Sequence, residues 1–587
     1  MSKYILNTLC TIIVGTIVLV ICTLAQKYGA NISYSETMTL SFLSAITCWA
    51  LLIPAISERI KHLCCDYDWA DETVHLYQSI SPKYRQSFWT LFGLINLAFL
   101  FHTINFMWGN EDWAAIRSTV NHEESLKIGA FSAYWLQELL FDGKILPVIN
   151  NLWSFAGLSL AGVLLAIYWN APERATPIVT IGLLFAVTPY TLSILYFAKT
   201  SLGVCWLPAL VLTGLLLAEK KCKNPTASYL CNTLSILLIT WALGTYMPVI
   251  NFLGLAIIGQ IFLKVTYADI SLKSAFTRNL QGIANTFAAI MLYLLILFTL
   301  EETNYLNADI SDSLRIGTPL LRLPLLIKHA FLQFAEPLPF MDITYKTIYI
   351  VMCLFGLFTL ILKAPNAKAS IRGLILIPVL LFCSMLALLF AIYPETNYAR
   401  MTFFGLPFLY ALLFLLMIKL GSLPTRRIAY TLAFILIFMN FVRIAYAEKV
   451  WKFGWDAETK LAERIITRLE KMPEFNIERQ YKLLQIGEKS LRRKYYRQTP
   501  YERMNGELLE RAYYPAGNAK DAYNFFYQAD FLSADASAEA LREPVIREYL
   551  LNKARAWPQK EALFIHGDYI VLILDDKSLA AAQSRIQ

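Results

Sequence analysis

The chain has 587 residues, of which 57% are hydrophobic and 16% charged, and its mean hydropathy is +0.48. Soluble globular proteins carry about 45–50% apolar and about 25% charged residues, so these values exclude a wholly soluble protein. The aromatic content of 14% excludes a disordered chain, because such chains are poor in aromatic residues. The net charge of +9 would suggest a nucleic-acid partner in a soluble protein. Here it fits the basic cytoplasmic loops of a membrane protein, and we expect no nucleic acid.

Long apolar runs recur as far as Tyr446. A run of about 20 apolar residues can cross the hydrocarbon core as a helix, and we count roughly thirteen such runs. The first is too long for a cleaved signal peptide, and no clear small-residue cleavage site follows it. The predicted spans are 4–25, 39–56, 88–108, 147–169, 177–198, 202–218, 227–246, 248–264, 283–300, 346–362, 371–393, 401–418 and 428–446.

Lys and Arg in the short loops predict the orientation, because cytoplasmic loops carry an excess of both. If the N-terminus is cytoplasmic, every short cytoplasmic loop is basic, whereas the opposite short turns are nearly free of base apart from Lys27 and Lys199. The sequence therefore predicts a cytoplasmic N-terminus and an extracytoplasmic C-terminus. The predicted orientation depends on the short turn between spans 227–246 and 248–264. If one of those two helices were absent, every later segment would lie on the opposite side of the membrane.

Three large pieces then lie outside the cytoplasm: loops 109–146 and 301–345, and the tail 447–587. None of them contains a cysteine, as expected for segments in an oxidising compartment that form no disulfides. The alternative explanation is that cysteine is simply a small apolar residue that suits helices. No C-x-x-C pair is present, so no zinc site is predicted.

The tail differs in character from the apolar region 1–446, which we expect to be the transmembrane catalytic domain. Charge density rises after Tyr446, and the tail alternates helical and strand patterns. We predict a small α/β domain of roughly 140 residues. Its expected elements are a helix at 453–471, strands at 482–486, 562–565 and 569–574, and a turn at His566-Gly567-Asp568.

Ionisable residues are scarce inside the predicted spans, which disfavours a transporter or flippase because conduits need buried charge. His102 near the third span is the exception, and a packed interfacial histidine is the simpler interpretation. Acidic residues instead follow that span, in Gly109-Asn110-Glu111-Asp112-Trp113. Two carboxylates at the interface could provide a general base for a lipid-linked substrate. The alternative is an ordinary loop start with Trp113 as an interfacial belt residue.

Two further segments, Gly129-Ala130-Phe131-Ser132-Ala133-Tyr134-Trp135 and Leu139-Leu140-Phe141-Asp142-Gly143-Lys144-Ile145-Leu146-Pro147, follow this acidic pair. Together the three resemble the serotype-converting O-antigen glucosyltransferases of the Gtr type II group, polytopic enzymes of the GT-C class. In the tail, Ala556-Trp557-Pro558 and the strand after Gly567 are similar to that family's terminal Trp-Pro and short strand. Two departures stand out: the family commonly has Asp-Asp where this chain has Glu111-Asp112, and often Gly-Arg where it has Gly129-Ala130.

The resemblance implies a fold and a reaction. The fold is a GT-C-like polytopic α-helical membrane protein of the bacterial inner membrane, with an active site that faces the periplasm. The donor would be undecaprenyl-phosphate glucose, and the acceptor lipid-linked O-antigen. Asp112 would be the general base, with Glu111 assisting and Trp113 contacting substrate. Single displacement implies inversion, and no metal or other cofactor is indicated. A small flippase and a cytoplasmic polyprenyl-phosphate sugar synthase are implied partners, besides membrane lipids.

The leaving phosphate needs cations, and arginine offers planar, multidentate donors for phosphate oxygens. Arg400 is the favoured contact, followed by Arg315 and Arg322 in the second large loop, and Glu395 in the same outer turn as Arg400 is a further expected substrate contact. Binding to phospholipid headgroups or a local ion pair is the alternative for each. The segment 314–340 is either an amphipathic element along the interface or a re-entrant structural loop.

Other functions remain open at this point. A GT-C enzyme could modify lipid A, a protein or another wall polymer. An O-antigen polymerase or ligase is also polytopic with large outer loops. Donor dependence separates them, since a transferase consumes polyprenyl-phosphate sugar and a polymerase consumes diphosphate-linked repeats.

Overall fold

The computed structural model describes 78, 80–105, 122–195, 197–220, 222, 224–303, 321–335, 343–389, 403–476, 478–487, 524, 531–533 and 540–586. The chain forms two compact units, one of Met1–Arg85 with His122–Glu124 and one of the remainder. The second unit holds nearly all of the described residues, including every described element from Trp135 onwards.

Helices dominate the described chain before residue 471. They are α1 (Pro82–Ala98), α2 (Leu100–Ile104), α3 (His122–Lys127), α4 (Trp135–Phe141), α5 (Pro147–Tyr168), α6 (Ala175–Ala186), α7 (Pro189–Leu195), α8 (Ala198–Glu219), α9 (Pro225–Thr245), α10 (Val249–Tyr267), α11 (Leu272–Arg278), α12 (Leu280–Glu302), α13 (Leu323–Ala335), α14 (Ile343–Lys363), α15 (Ala367–Cys383), a 3-10 turn (Leu386–Leu389), α16 (Leu406–Leu420) and α17 (Leu423–Glu470).

Seven of the described helices are long and apolar enough to cross a membrane, and each coincides with a predicted span. These helices make the chain a polytopic membrane protein. The seven segments are Pro147–Tyr168, Ala198–Glu219, Pro225–Thr245, Val249–Tyr267, Leu280–Glu302, Lys346–Lys363 and Leu423–Lys449. The first two predicted spans lie outside the described residues, and the count of thirteen stays a prediction.

The predicted span 177–198 is not one straight helix. The segments α6 and α7 meet at a bend of 58°. Such a break frees backbone carbonyls, which must find partners at membrane depth. Thr191 Oγ1 donates to the Ala186 carbonyl at 2.6 Å, and Asn440 Nδ2 on α17 donates to the Val187 carbonyl at 2.8 Å. Helix α17, the last helix of the bundle in sequence order, therefore stabilises the break between α6 and α7.

Short connections join the successive spanning segments α5, α6 with α7, α8, α9 and α10, so these segments alternate in direction and the bundle has two ends. We call the end at which α5, α8 and α10 begin the loop end, and the other the opposite end. Close helix contact between them depends on small residues, as is usual in membranes. A Cβ atom on Gly162 of α5 would lie 2.7 Å from the Cα of Gly182 on α6.

A polar network joins four segments at the opposite end. Gln260 Nε2 donates to Glu219 Oε2 at 3.1 Å and to the Tyr168 carbonyl at 3.0 Å. Lys264 Nζ donates to Gln260 Oε1 at 3.0 Å and to Asn279 Oδ1 at 3.1 Å. The buried Gln260 amide thus connects a carboxylate to an ammonium group, which lowers the cost of having both charges partly buried.

We expect Gln260→Leu to destabilise the bundle by about 1–3 kcal/mol, because Glu219 and Lys264 would each lose a hydrogen-bond partner. The measurement is thermal unfolding of the purified protein in detergent. Gln281→Leu is the matched control, since the exposed Gln281 amide bonds Asn285 within its own helix. Equal melting temperatures for the two variants would contradict the expected role of Gln260.

Helix α17 continues without a break from the membrane span into the tail. It has 48 residues, which corresponds to a length of about 72 Å at the rise of an α-helix. The predicted helix at 453–471 is the last part of α17, and the predicted boundary after Tyr446 falls inside it. Whether the tail is a separate domain stays a prediction.

The described tail contains a four-stranded sheet in the order β2-β1-β4-β3. Strand β1 is parallel to β2 and to β4, and β3 is antiparallel to β4. Three of the four strands coincide with predicted ones, and β2 was not predicted. The elements are β1 (Tyr481–Ile486), β2 (Phe531–Ser533), a 3-10 turn (Ala540–Arg542), α18 (Pro544–Asn552), a 3-10 turn (Lys560–Ala562), β3 (Leu563–His566), β4 (Tyr569–Ile573) and α19 (Asp576–Ile586).

Helices cover both faces of this sheet. The end of α17 packs on one face through a buried apolar set, and α18 with α19 packs on the other. Trp557 of the Trp-Pro motif lies against α17, with the Arg468 guanidinium 4.3 Å from the ring centroid. Arg468 Nη1 also donates to the Pro558 carbonyl at 3.0 Å. The Trp-Pro motif therefore connects the tail to α17, the helix that continues from the membrane span.

Candidate glycosyl-transfer site

Most of the site residues predicted from sequence fall outside the described chain. Arg322 is described. The others, which we do not locate, are Glu111, Asp112, Trp113, Arg315, Glu395 and Arg400. The geometry of the loop end therefore comes from the segments that flank them.

The segment 129–135, one of the motifs that carry the family resemblance, is fixed to the loop end of α9. Ser132 is the main polar anchor, because its backbone N–H donates to the Gly244 carbonyl at 3.0 Å and its Oγ donates to the Trp241 carbonyl at 2.8 Å. Ser132 Oγ also lies 3.1 Å from Thr245 Oγ1. The Gly244 carbonyl lies in the last turn of α9, where no intrahelical N–H is available to it.

Aromatic contacts complete this attachment. Phe131 lies where a side chain on Gly244 would be, since a Cβ there would come within 2.3 Å of the ring. The Phe131 ring centroid is 6.0 Å from that of Tyr293 on α12. Trp135 meets Trp241 edge to face at 5.0 Å. The glycine at position 244 thus makes room for the motif.

The next motif, 139–147, turns back into the membrane. The buried side chain of Gln137 exchanges hydrogen bonds with Asn150 on α5, including Asn150 Nδ2 to Gln137 Oε1 at 3.1 Å. Asn150 Oδ1 accepts from the backbone N–H of Leu146 at 3.2 Å. Leu139 is 79% exposed, as expected for an apolar side chain that faces lipid at the interface. The motifs therefore form a rigid element at the loop end.

Arg322 lies at the same end, immediately before α13. This helix occupies part of the predicted interfacial segment 314–340 and packs on α15 and the 3-10 turn after it. Arg322 Nη1 donates to the Leu389 carbonyl at 3.4 Å. Partial burial lowers the pKa of its guanidinium, although an arginine stays charged in proteins.

Glu448 is a feature that sequence reasoning missed. It lies at the loop end of α17 and is completely buried. Its carboxyl group faces the backbone of His102 on α2, and neither oxygen makes a hydrogen bond of standard geometry with a described residue. Helix α2 is the last described helix before the segment with Glu111 and Asp112. A buried carboxyl beside the helix that precedes this segment is a feature typical of functional sites.

The family profile described as Glucosyl transferase GtrII matches residues 77–418, more than half of the chain. The chain belongs to this family. Membership makes it a glycosyltransferase, in agreement with the resemblance seen in the motifs. No curated protein and no solved structure matches the chain.

The GtrII match includes the acidic pair, both following motifs and every predicted arginine contact, because all of them lie between 77 and 418. It ends before α17, so Glu448 and the tail with its Trp-Pro motif lie beyond the matched region. Among the described residues of this GtrII-family chain, no group of three or more His, Cys, Asp or Glu side chains could hold a metal ion.

Proposed function

We propose that the protein transfers glucose from undecaprenyl phosphate to lipid-linked O-antigen on the periplasmic face of the inner membrane. The observation that supports this most directly is the attachment of the family motifs 129–135 and 139–147 to one end of a membrane bundle. In the sequence, Glu111 and Asp112 lie between α2 and these motifs. A lipid-linked donor and a lipid-linked acceptor meet at such an interface, and a transferase must hold its base there.

In the proposed reaction, Asp112 takes the proton of an acceptor hydroxyl as its oxygen attacks the anomeric carbon. The bond between that carbon and the phosphate oxygen breaks, and polyprenyl phosphate leaves. A single displacement inverts the anomeric carbon. Positive charge develops on the sugar ring in the transition state, as in glycoside hydrolysis, and a nearby carboxylate such as Glu111 stabilises it. Trp113 contacts the substrate.

Cations at the loop end would stabilise the departing phosphate. We propose Arg400 as the principal contact, with Arg315 and Arg322 as further phosphate contacts and Glu395 as another substrate-binding residue. Arg322 supports this proposal, because it lies at the loop end, where its Nη1 donates to the Leu389 carbonyl, and arginine offers planar, multidentate donors for phosphate oxygens.

The proposed orientation has a cytoplasmic N-terminus. The opposite end of the bundle carries the basic residues Lys264 and Lys419, as cytoplasmic ends do. A cytoplasmic synthase would charge polyprenyl phosphate with glucose, and a small flippase would bring the product to the periplasmic face. The tail after α17 would lie in the periplasm.

The test compares surface glycans of cells with and without the protein, in a host that supplies undecaprenyl-phosphate glucose. We expect a new side-branch hexose on the O-antigen, absent when the synthase for the donor is deleted. A change in O-antigen chain length without a new branch would favour the polymerase or ligase alternative. A new hexose on lipid A, a protein or another wall polymer would support the transferase activity and show that the acceptor is not O-antigen.

A further inference from the structure

An apolar cavity of about 320 Å³ lies between α10, α14, α15 and α16. Its volume is at the lower end of the range for ligand cavities. All of its lining side chains are apolar, and the most polar group among them is the Cys353 thiol. Such a cavity excludes water and sugar and accepts hydrocarbon.

The cavity lies at the depth of the membrane hydrocarbon. It is lined by interior turns of α10, α14 and α16 and by the last turns of α15, and α10 and α14 are among the seven helices that can cross the membrane. Leu354 on its wall is 60% exposed, so the cavity opens towards the lipid-facing surface of the bundle. A chain can therefore enter sideways from the bilayer.

A cation lies beyond the loop end of the cavity. Leu380 and Leu381 line it in the last turn of α15. The chain then passes through the 3-10 turn to Leu389, whose carbonyl accepts from Arg322. Along α15 and the 3-10 turn after it, the apolar cavity is thus followed by the Arg322 guanidinium. A lipid phosphate has the matching order, in which the hydrocarbon chain is followed by a phosphate that a guanidinium can bind.

We propose that this cavity holds the polyprenyl chain of the donor, on the side nearest its phosphate. This inference rests on the proposed function. The volume of about 320 Å³ has room for part of one hydrocarbon chain and so favours a lipid with one chain, whereas an ordinary phospholipid has two chains joined at one headgroup. The cavity would fix the donor's depth and direction, so that its anomeric carbon lies at the loop end.

The test is photo-crosslinking of the purified full-length protein in phosphatidylglycerol nanodiscs. The probe is polyprenyl phosphate with a diazirine on an isoprene unit close to the phosphate. We expect crosslinks in the described turns of α14, α15 and α16 that line the cavity. Excess undecaprenyl phosphate should abolish them, whereas more phosphatidylglycerol should not. Crosslinks elsewhere, or equal competition by phosphatidylglycerol, would overturn the proposal.

Cavity-filling variants provide the matched comparison. Leu357→Trp and Cys353→Phe place bulk inside the cavity, and Phe358→Trp adds bulk to a neighbouring side chain that is 56% exposed and outside the lining. We expect the two filling variants to lose crosslinking and to raise the KM for the polyprenyl donor several-fold with little change in kcat. The Phe358 variant should behave as wild type. Crosslinking that survives in both filling variants would refute the proposal that the cavity holds the polyprenyl chain.

Failure of the proposed function is a separate result. If the wild type adds no hexose to any glycan but the probe still occupies the cavity, then the proposed reaction fails and the lipid site stands. If the wild type adds the hexose and the probe labels other helices, then the reaction stands and the cavity has another role.

Discussion

Asp112→Asn is expected to lower the rate of glucosyl transfer by about 10²–10⁴-fold, the usual contribution of a general base. The substitution removes the carboxylate and retains nearly the same shape, so the protein should reach the membrane at the wild-type level. The measurement is the initial rate of hexose transfer from undecaprenyl-phosphate glucose in membranes with equal amounts of each variant. We expect Glu111→Gln to have a smaller effect, because its proposed role is to assist.

Asp142→Asn is the matched control for the acidic pair. Asp142 is in the same large loop, its side chain is 85% exposed, and it pairs with Lys144 at 3.1 Å. Its left-handed backbone, with φ of 54°, suits Asn as well as Asp, so this variant should keep wild-type activity. A larger loss in Glu111→Gln than in Asp112→Asn would transfer the role of base to Glu111. Full activity in both would remove the pair from the mechanism.

The membrane helices could be predicted because each carries its own signal. An apolar run of sufficient length specifies a span without reference to the rest of the chain, and all seven described spanning helices lie where the sequence places them. The break between α6 and α7 has a local signal in Pro189, the first residue of α7, because proline has no backbone N–H to continue a helix. The local sequence does not show the partner of the break, Asn440, which is distant in sequence and donates a hydrogen bond to the Val187 carbonyl.

The end of the last span also depends on contacts that a local sequence pattern does not show. Charge density rises after Tyr446, which predicts an exposed tail from that point. In the structure α17 continues to Glu470, and Glu448 is buried beside His102. A local rise in charge cannot reveal that one glutamate faces a neighbouring helix. The spacing offers a partial signal, because Asn440, Ile444 and Glu448 repeat every four residues and share one face of a helix.

The sequence offers candidate residues for the site, which stay a prediction, but it does not show how the motifs of the site attach to the helices. The motif 129–135 stood out in the sequence through resemblance, and no spacing within it indicates where it attaches. Its anchors on α9 are Trp241, Gly244 and Thr245, more than a hundred positions further along the chain. Contacts at that separation follow from the packing of whole helices, and a single sequence does not encode them in any local pattern.

Gly244→Ala is expected to displace the motif and to reduce transfer at least about tenfold, with a loss of about 1–3 kcal/mol in stability from overpacking. The added Cβ would come within 2.3–2.7 Å of three atoms of the Phe131 ring, and the ring is held on its other side near Tyr293. Phe131 would have to move, and the adjoining Ser132 anchor would move with it. Transfer rate and thermal unfolding are the two measurements.

Two further variants make this result specific. Gly93→Ala on α1 is the control for adding a methyl group to a membrane helix, since a Cβ at Gly93 meets nothing within 4 Å; we expect no loss of activity. Phe131→Leu combined with Gly244→Ala removes the colliding ring atoms and should recover part of the stability, because contacting residues are coupled. If Gly244→Ala alone keeps wild-type rate and stability, the attachment of the motif to α9 does not position the site. If the double variant recovers stability without activity, the Phe131 ring itself is needed to hold the loop in its active arrangement.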